Sequence, residues 1–127
     1  MNSTFWADIH GGATHFPIAL LIASFLFDLI AYIIHRDPAS RDLHIASFYA
    51  ILLGAIVSIA AVGSGLILSG WQVLGSGALL KHHDFIWPAF GLIIGLAAWR
   101  LVVRESASRG AFGIYLVVTL IAAICIA

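Results

Sequence analysis

Residues 13–34, ATHFPIALLIASFLFDLIAYII, hold one acidic side chain, Asp28, and no basic one. A helix crossing a bilayer needs about 20 mostly apolar residues, so this stretch reads as a transmembrane span. Working outward from it, hydropathy marks three more, at about 43–68, about 85–103 and about 111–127. The breaks carry suitable punctuation. Arg36-Asp37-Pro38 closes the first span, because proline removes a backbone donor and turns its predecessor away from helix. Gly70 to Gly77 separates the second span from the third, with Ala78–Leu80 and Lys81 as an interfacial helical turn, and Arg104 to Gly110 separates the last pair. Composition agrees: of 127 residues, 62% are hydrophobic and 9% charged, against roughly 25% charged in a globular chain. The expected fold is all-α, a polytopic up-down bundle of four transmembrane helices forming one domain over residues 1–127.

Several function classes drop out. Six basic residues balance six acidic ones, which argues against nucleic acid, whose binders carry a basic surplus. The single cysteine, Cys125, leaves no disulfide framework and no cysteine-rich metal site. The serines have no acid–histidine partner at a matching depth, and neither a glycine-rich phosphate loop nor a CxxCH haem-attachment motif is present. Any haem would be non-covalent.

Orientation follows from the basic residues of short loops. The first connection carries Arg36 and Arg41, and the third, with its flanks, carries Arg100, Arg104 and Arg109. The other side has only Lys81. Both basic loops are therefore expected in the cytoplasm, with both termini and the Trp71–Asp84 loop outside, in the periplasm of a bacterial inner membrane. Trp6, Trp71 and Trp87 near the outer boundary and Trp99 near the inner one suit interfacial aromatic belts. Residues 1–10 contain no Lys or Arg, so the basic start of a secretory signal is missing and the first span is expected to be retained.

Small residues mark where membrane helices approach closely. On the second span Gly54, Ser58, Ala61 and Gly65 form one stripe, which Ser47 and Ser69 extend; on the third, Gly91 and Gly95 are extended by Ala98. Helix packing is the plain expectation for both stripes, and a glycine such as Gly91 also leaves room for a flat cofactor.

Six histidines stand out in so apolar a chain. The topology sorts them into an outer group, His10, His15, His82 and His83, and an inner pair, His35 and His44. Each alone also fits an interfacial imidazole that water solvates cheaply, but the outer group is harder to dismiss. A catalytic zinc or copper site would show tighter ligand spacing or supporting carboxylates and thiols. Haem iron needs two axial imidazoles from separate helices and an apolar pocket, which a bundle core supplies. The expected metal ligands are His15 and His83, with His82 as the less favoured neighbour, and Phe16, Trp87 and Phe90 walling the ring beside Gly91. One angle opposes this set. On a straight helix His15 points about 140° away from Asp28, unless Pro17 or Gly11-Gly12 bends the chain.

Asp28 is the one acid well inside a span. Burying an unpaired carboxylate costs several kcal/mol or forces its protonation, so a partner is required, and Arg100, at a similar depth, is the expected one. With His44 they make an inner polar cluster, either an ion pair fixing helix register or a proton-relay or quinone-site carboxylate.

His15-Phe16-Pro17-Ile18-Ala19-Leu20-Leu21, then Leu26-Phe27-Asp28-Leu29-Ile30, resembles a family of predicted four-helix bacterial membrane proteins, domain of unknown function 2231. The likeness extends to Leu52-Leu53-Gly54-Ala55 with Gly63, and to a histidine opening the third span, here His82 or His83. It marks His15, Pro17, Asp28 and Gly54 without giving them roles. The resemblance implies company with c-type cytochromes and respiratory modules, which favours a redox part. The leading expectation is therefore an electron-transfer subunit binding b-type haem near the outer face, between a quinol pool or membrane dehydrogenase and a periplasmic cytochrome. The rival is a non-catalytic packing or assembly subunit of a larger membrane complex. A small transporter fits less well, for want of a charged pore lining or a broken mid-membrane helix.

Overall fold

The computed structural model describes residues 3–104 and 106–126. Ala127, the expected end of the fourth span, and the two terminal residues of the first segment, Met1 and Asn2, lie outside them, as does Glu105. Among the described residues there are four helices: α1, Ser3–Ile33; α2, Ala39–Leu68; α3, Ala78–Val103; and α4, Arg109–Ile126. All four are long and apolar enough to cross a membrane. Each packs against its neighbours in sequence, and α4 closes on α1. This is the up-down bundle, with α1 diagonal to α3 and α2 diagonal to α4.

The helix limits differ from the hydropathy limits in an instructive way. Helix α1 starts ten residues before the expected span and runs unbroken through Gly11-Gly12. Helix α3 absorbs Ala78–Leu80 as its first turn instead of starting near Phe85. Helix α2 begins directly after Pro38, which sits at φ −54, a preset value suited to a helix start. Asp37 Oδ1 accepts the Ala39 N–H at 2.8 Å, and Asp42 stands in the first turn where the helix dipole favours an anion. At the far end Trp71 N donates to Leu66 O at 2.7 Å and Gly70 N to Ile67 O at 3.2 Å. This is the paired carbonyl capture of a Schellman stop, and Gly70 holds the φ of +66 that it requires.

Length shapes the bundle. At about 1.5 Å per residue, α1 and α2 measure roughly 45 Å, whereas α4 measures roughly 27 Å, near the hydrocarbon thickness of about 30 Å. Side chains on the outside are apolar and lipid-facing, among them Leu53, Ile56, Val102, Ile114 and Ile124. Inside, Leu21, Ile51, Ile93 and Ala122 are almost fully covered. Between lipid-bathed helices the binding force is close packing. The α2 stripe provides it: Ser47, Gly54, Ser58 and Ala61 are buried, and a Cβ on Gly54 would already lie 3.4 Å from that of Leu20.

The α3 stripe does the opposite of what its spacing suggested. Gly91, Gly95 and Ala98 are exposed, and nothing lies within 4 Å of a Cβ built on either glycine. The buried face of α3 is Ala89, Ile93, Leu96, Ala97 and Arg100. Gly91 stands about half a turn around the helix from Arg100. Turning the guanidinium inward therefore turns the glycines out to lipid.

Candidate functional site

One stripe of α1 carries both ends of the polar architecture. Pro17, Leu21, Ser24, Asp28 and Ala31 are buried along it. His10 continues the stripe about five turns above Asp28.

At the lower end, Asp28 is fully buried and accepts from three side chains. Arg100 Nη1 donates to its Oδ2 at 3.0 Å, Ser47 Oγ also donates to Oδ2, and His44 Nδ1 lies 2.8 Å from Oδ1. Arg100 spends Nη2 on the His44 carbonyl at 3.0 Å. Its guanidinium carbon stands 5.3 Å from the ring centres of both Phe112 and Tyr115 on α4. One arginine thus touches α1, α2 and α4. Ser24 Oγ extends the network, meeting Ser47 Oγ at 2.9 Å. The sequence-chosen trio Asp28, His44 and Arg100 is in mutual contact here, joined by Ser24 and Ser47. With every Asp28 oxygen engaged and the ion pair buried, the arrangement fixes the rotation of three helices at once.

At the other end, the bundle forms a half-open cavity of about 510 Å³, in the range of small-molecule and cofactor pockets. Its walls come from α1, α2 and α3, and Ile126 at the end of α4 closes one side. Because α4 is short, the longer helices pass beyond it and leave this space. Three imidazoles line it: His10 from α1, and His82 and His83 from α3. Trp87 and Phe90 line the same space.

His15 is not there. It is exposed and absent from the cavity lining, as is Phe16, whose side chain is 62% exposed. The reason is the continuity of α1 through Gly11-Gly12. The helix is continuous through Pro17 as well, and His15 lies on the exposed side, as the roughly 140° offset from Asp28 requires. Gly91 likewise faces away from the cavity. The imidazole that does enter from α1 is His10. The signal for it was in the chain, in its helical register with Asp28, but the glycine pair reads as a helix boundary.

The hydrogen bonds of the cavity histidines are informative. His10 Nδ1 lies 3.0 Å from the Ala61 carbonyl and 3.2 Å from Ser64 Oγ, and the ring rests on Gly65. His83, buried, has Nδ1 3.2 Å from the Leu74 carbonyl. A carbonyl only accepts, so each ring donates from Nδ1, which in a neutral imidazole leaves the lone pair on Nε2. Metal-ligating histidines are commonly oriented in this way. Among the described residues no three His, Cys, Asp or Glu side chains gather closely enough to hold a bare metal ion. The donor set suits a group that asks for two imidazoles from different helices.

A family model described as predicted membrane protein (DUF2231) matches residues 7–127. No curated protein and no solved structure matches the chain.

Proposed function

We propose, on the premise that the chain belongs to the DUF2231 family of predicted membrane proteins, that it is an electron-transfer subunit holding one non-covalent b-type haem in the His10–His83 cavity. The observation that carries this reading is the pair of imidazoles on diagonal helices. Both line one apolar cavity, and both are anchored through Nδ1 to a backbone carbonyl. His10 takes the place expected of His15. His82, beside His83 with ring centres 5.9 Å apart, lines the same space and serves as the alternative α3 ligand.

The haem would supply one-electron chemistry between donor and acceptor. The chain's own part is to hold two imidazole tautomers, to keep water from an apolar pocket walled by Trp87 and Phe90, and to fix helix rotation through Asp28 and Arg100. With basic loops cytoplasmic, the cavity lies at the periplasmic face of a bacterial inner membrane, and both termini are periplasmic. Electrons would pass from the quinol pool or a membrane dehydrogenase to a periplasmic c-type cytochrome, with the chain acting inside a larger respiratory complex.

The test is a reduced-minus-oxidised absorbance spectrum of the full chain purified from its native membrane. Sharp b-type bands are expected, lost in His10→Ala and retained in His15→Ala. A colourless protein that pulls down a membrane complex intact would replace this reading with the assembly-subunit one.

A further inference from the structure

We propose a second site at the opposite end of the bundle, a groove that binds the phosphate of an anionic phospholipid. The groove encloses about 960 Å³ where α1 and α3 end and α2 and α4 begin, so it sits at the membrane boundary. Arg41, Arg100, Arg104 and Arg109 line it, and among the described residues no carboxylate does. Asp28, the nearest buried acid, is already saturated by Arg100, Ser47 and His44.

Three features mark this as more than a basic loop. Arg100 is 3% exposed, yet its Nε has no hydrogen-bond partner among the described residues. An ion pair that used the whole guanidinium would leave none. Arg104 caps α3 at a φ of +48, a region costly for a side chain bearing a Cβ and found where surrounding structure or a ligand demands it. Arg109 is held over Tyr32, its guanidinium carbon 4.3 Å from the ring centre, which aims a third cation at the same space.

The remaining wall is apolar. Ile45 and Phe48 line it, and Tyr49, 65% exposed, opens it toward the lipid side of α2. A free phosphate would leave that wall uncovered, whereas a phospholipid places its phosphate among the arginines and its acyl chains along Ile45 and Tyr49. Basic pockets between membrane helices recognise anionic headgroups on this principle. The site does not rest on the haem reading, since the two lie at opposite ends of the molecule.

The experiment uses the full chain, stripped of lipid in detergent and offered phosphatidylglycerol or phosphatidylcholine with identical acyl chains. Bound lipid is counted by native mass spectrometry. Phosphatidylglycerol is expected to bind at least about tenfold more tightly. Arg104→Gln and Arg109→Gln should each cut that preference about fivefold, the change that one basic side chain near an anionic surface makes. Circular dichroism checks that both variants keep their helices; should either lose them, the Lys variant at that position, which keeps the charge, should retain the preference. Equal binding of the two lipids, or an undiminished preference in both folded Gln variants, would overturn the proposal. So would displacement of the lipid by equimolar inorganic phosphate, since the groove would then be an anion site with no lipid role.

Discussion

Arg100 Nη1 stands 3.0 Å from Asp28 Oδ2, across the diagonal of the bundle, where α3 and α1 scarcely touch through their backbones. The contact depends on the length of the arginine side chain, and its guanidinium meets Phe112 and Tyr115 of α4 on the way. Removing one member of a buried pair strands the other as an uncompensated charge, at about 3–5 kcal/mol. Asp28→Asn should therefore lower the thermal unfolding midpoint of the detergent-solubilised protein strongly. It should leave the absorbance of any haem in the folded fraction unchanged, because the carboxylate lies far from the His10 cavity. A selective loss of that absorbance at unaltered stability would assign Asp28 to redox chemistry instead.

Gly65 supports the His10 ring closely, since a Cβ there would come 2.9 Å from Cε1. Gly65→Ala should push the imidazole out of place and reduce haem content, while helicity measured by circular dichroism stays level. The methyl group adds no polar atom, so any loss reads out position alone.

Gly91 and Gly95 face open lipid. Alanine at either should stabilise α3 by about 0.5–1 kcal/mol through helix propensity, visible as a small rise in unfolding midpoint. A marked fall in the native membrane, absent in detergent, would reveal another helix packed on that face.

Gly70 stops α2 in a left-handed conformation that a side chain enters at a cost of about 1–2 kcal/mol. Gly70→Ala should destabilise by about that much, whereas Gly63→Ala, inside α2 with nothing within 4 Å of the added carbon, should stabilise slightly.

How far the chain could be read without its structure depends on which residues had a single physical option. An acid inside a span must find a partner, and Arg100 was the one cation at the right depth, so that contact was legible. The four spans were legible because an apolar segment of about 20 residues can satisfy its own backbone in hydrocarbon by itself only as a helix. His10 was hidden by Gly11-Gly12. Two glycines cost roughly 2 kcal/mol in a helix and suggest an end, yet α1 passes through them while paired against α2. Glycine spacing on α3 misled for another reason. Small residues permit close approach but do not compel it, whereas Arg100 compels a rotation, and the two faces are about half a turn apart.

At the Arg100 end, one guanidinium holds α1, α2 and α4 to α3. At the His10 end, the polar contacts described above stay local. His10 binds Ala61 and Ser64 within the α1–α2 pair, and His83 and Trp87 bind Leu74 and Val73 in the loop before α3. The bundle is built like tongs. Its hinge is ionic, while the polar contacts named at its tips join α1 to α2 and α3 to its own leading loop. Parting the tips would leave the Asp28–Arg100 hinge intact, so the group proposed for the cavity could load with every helix held in its azimuth.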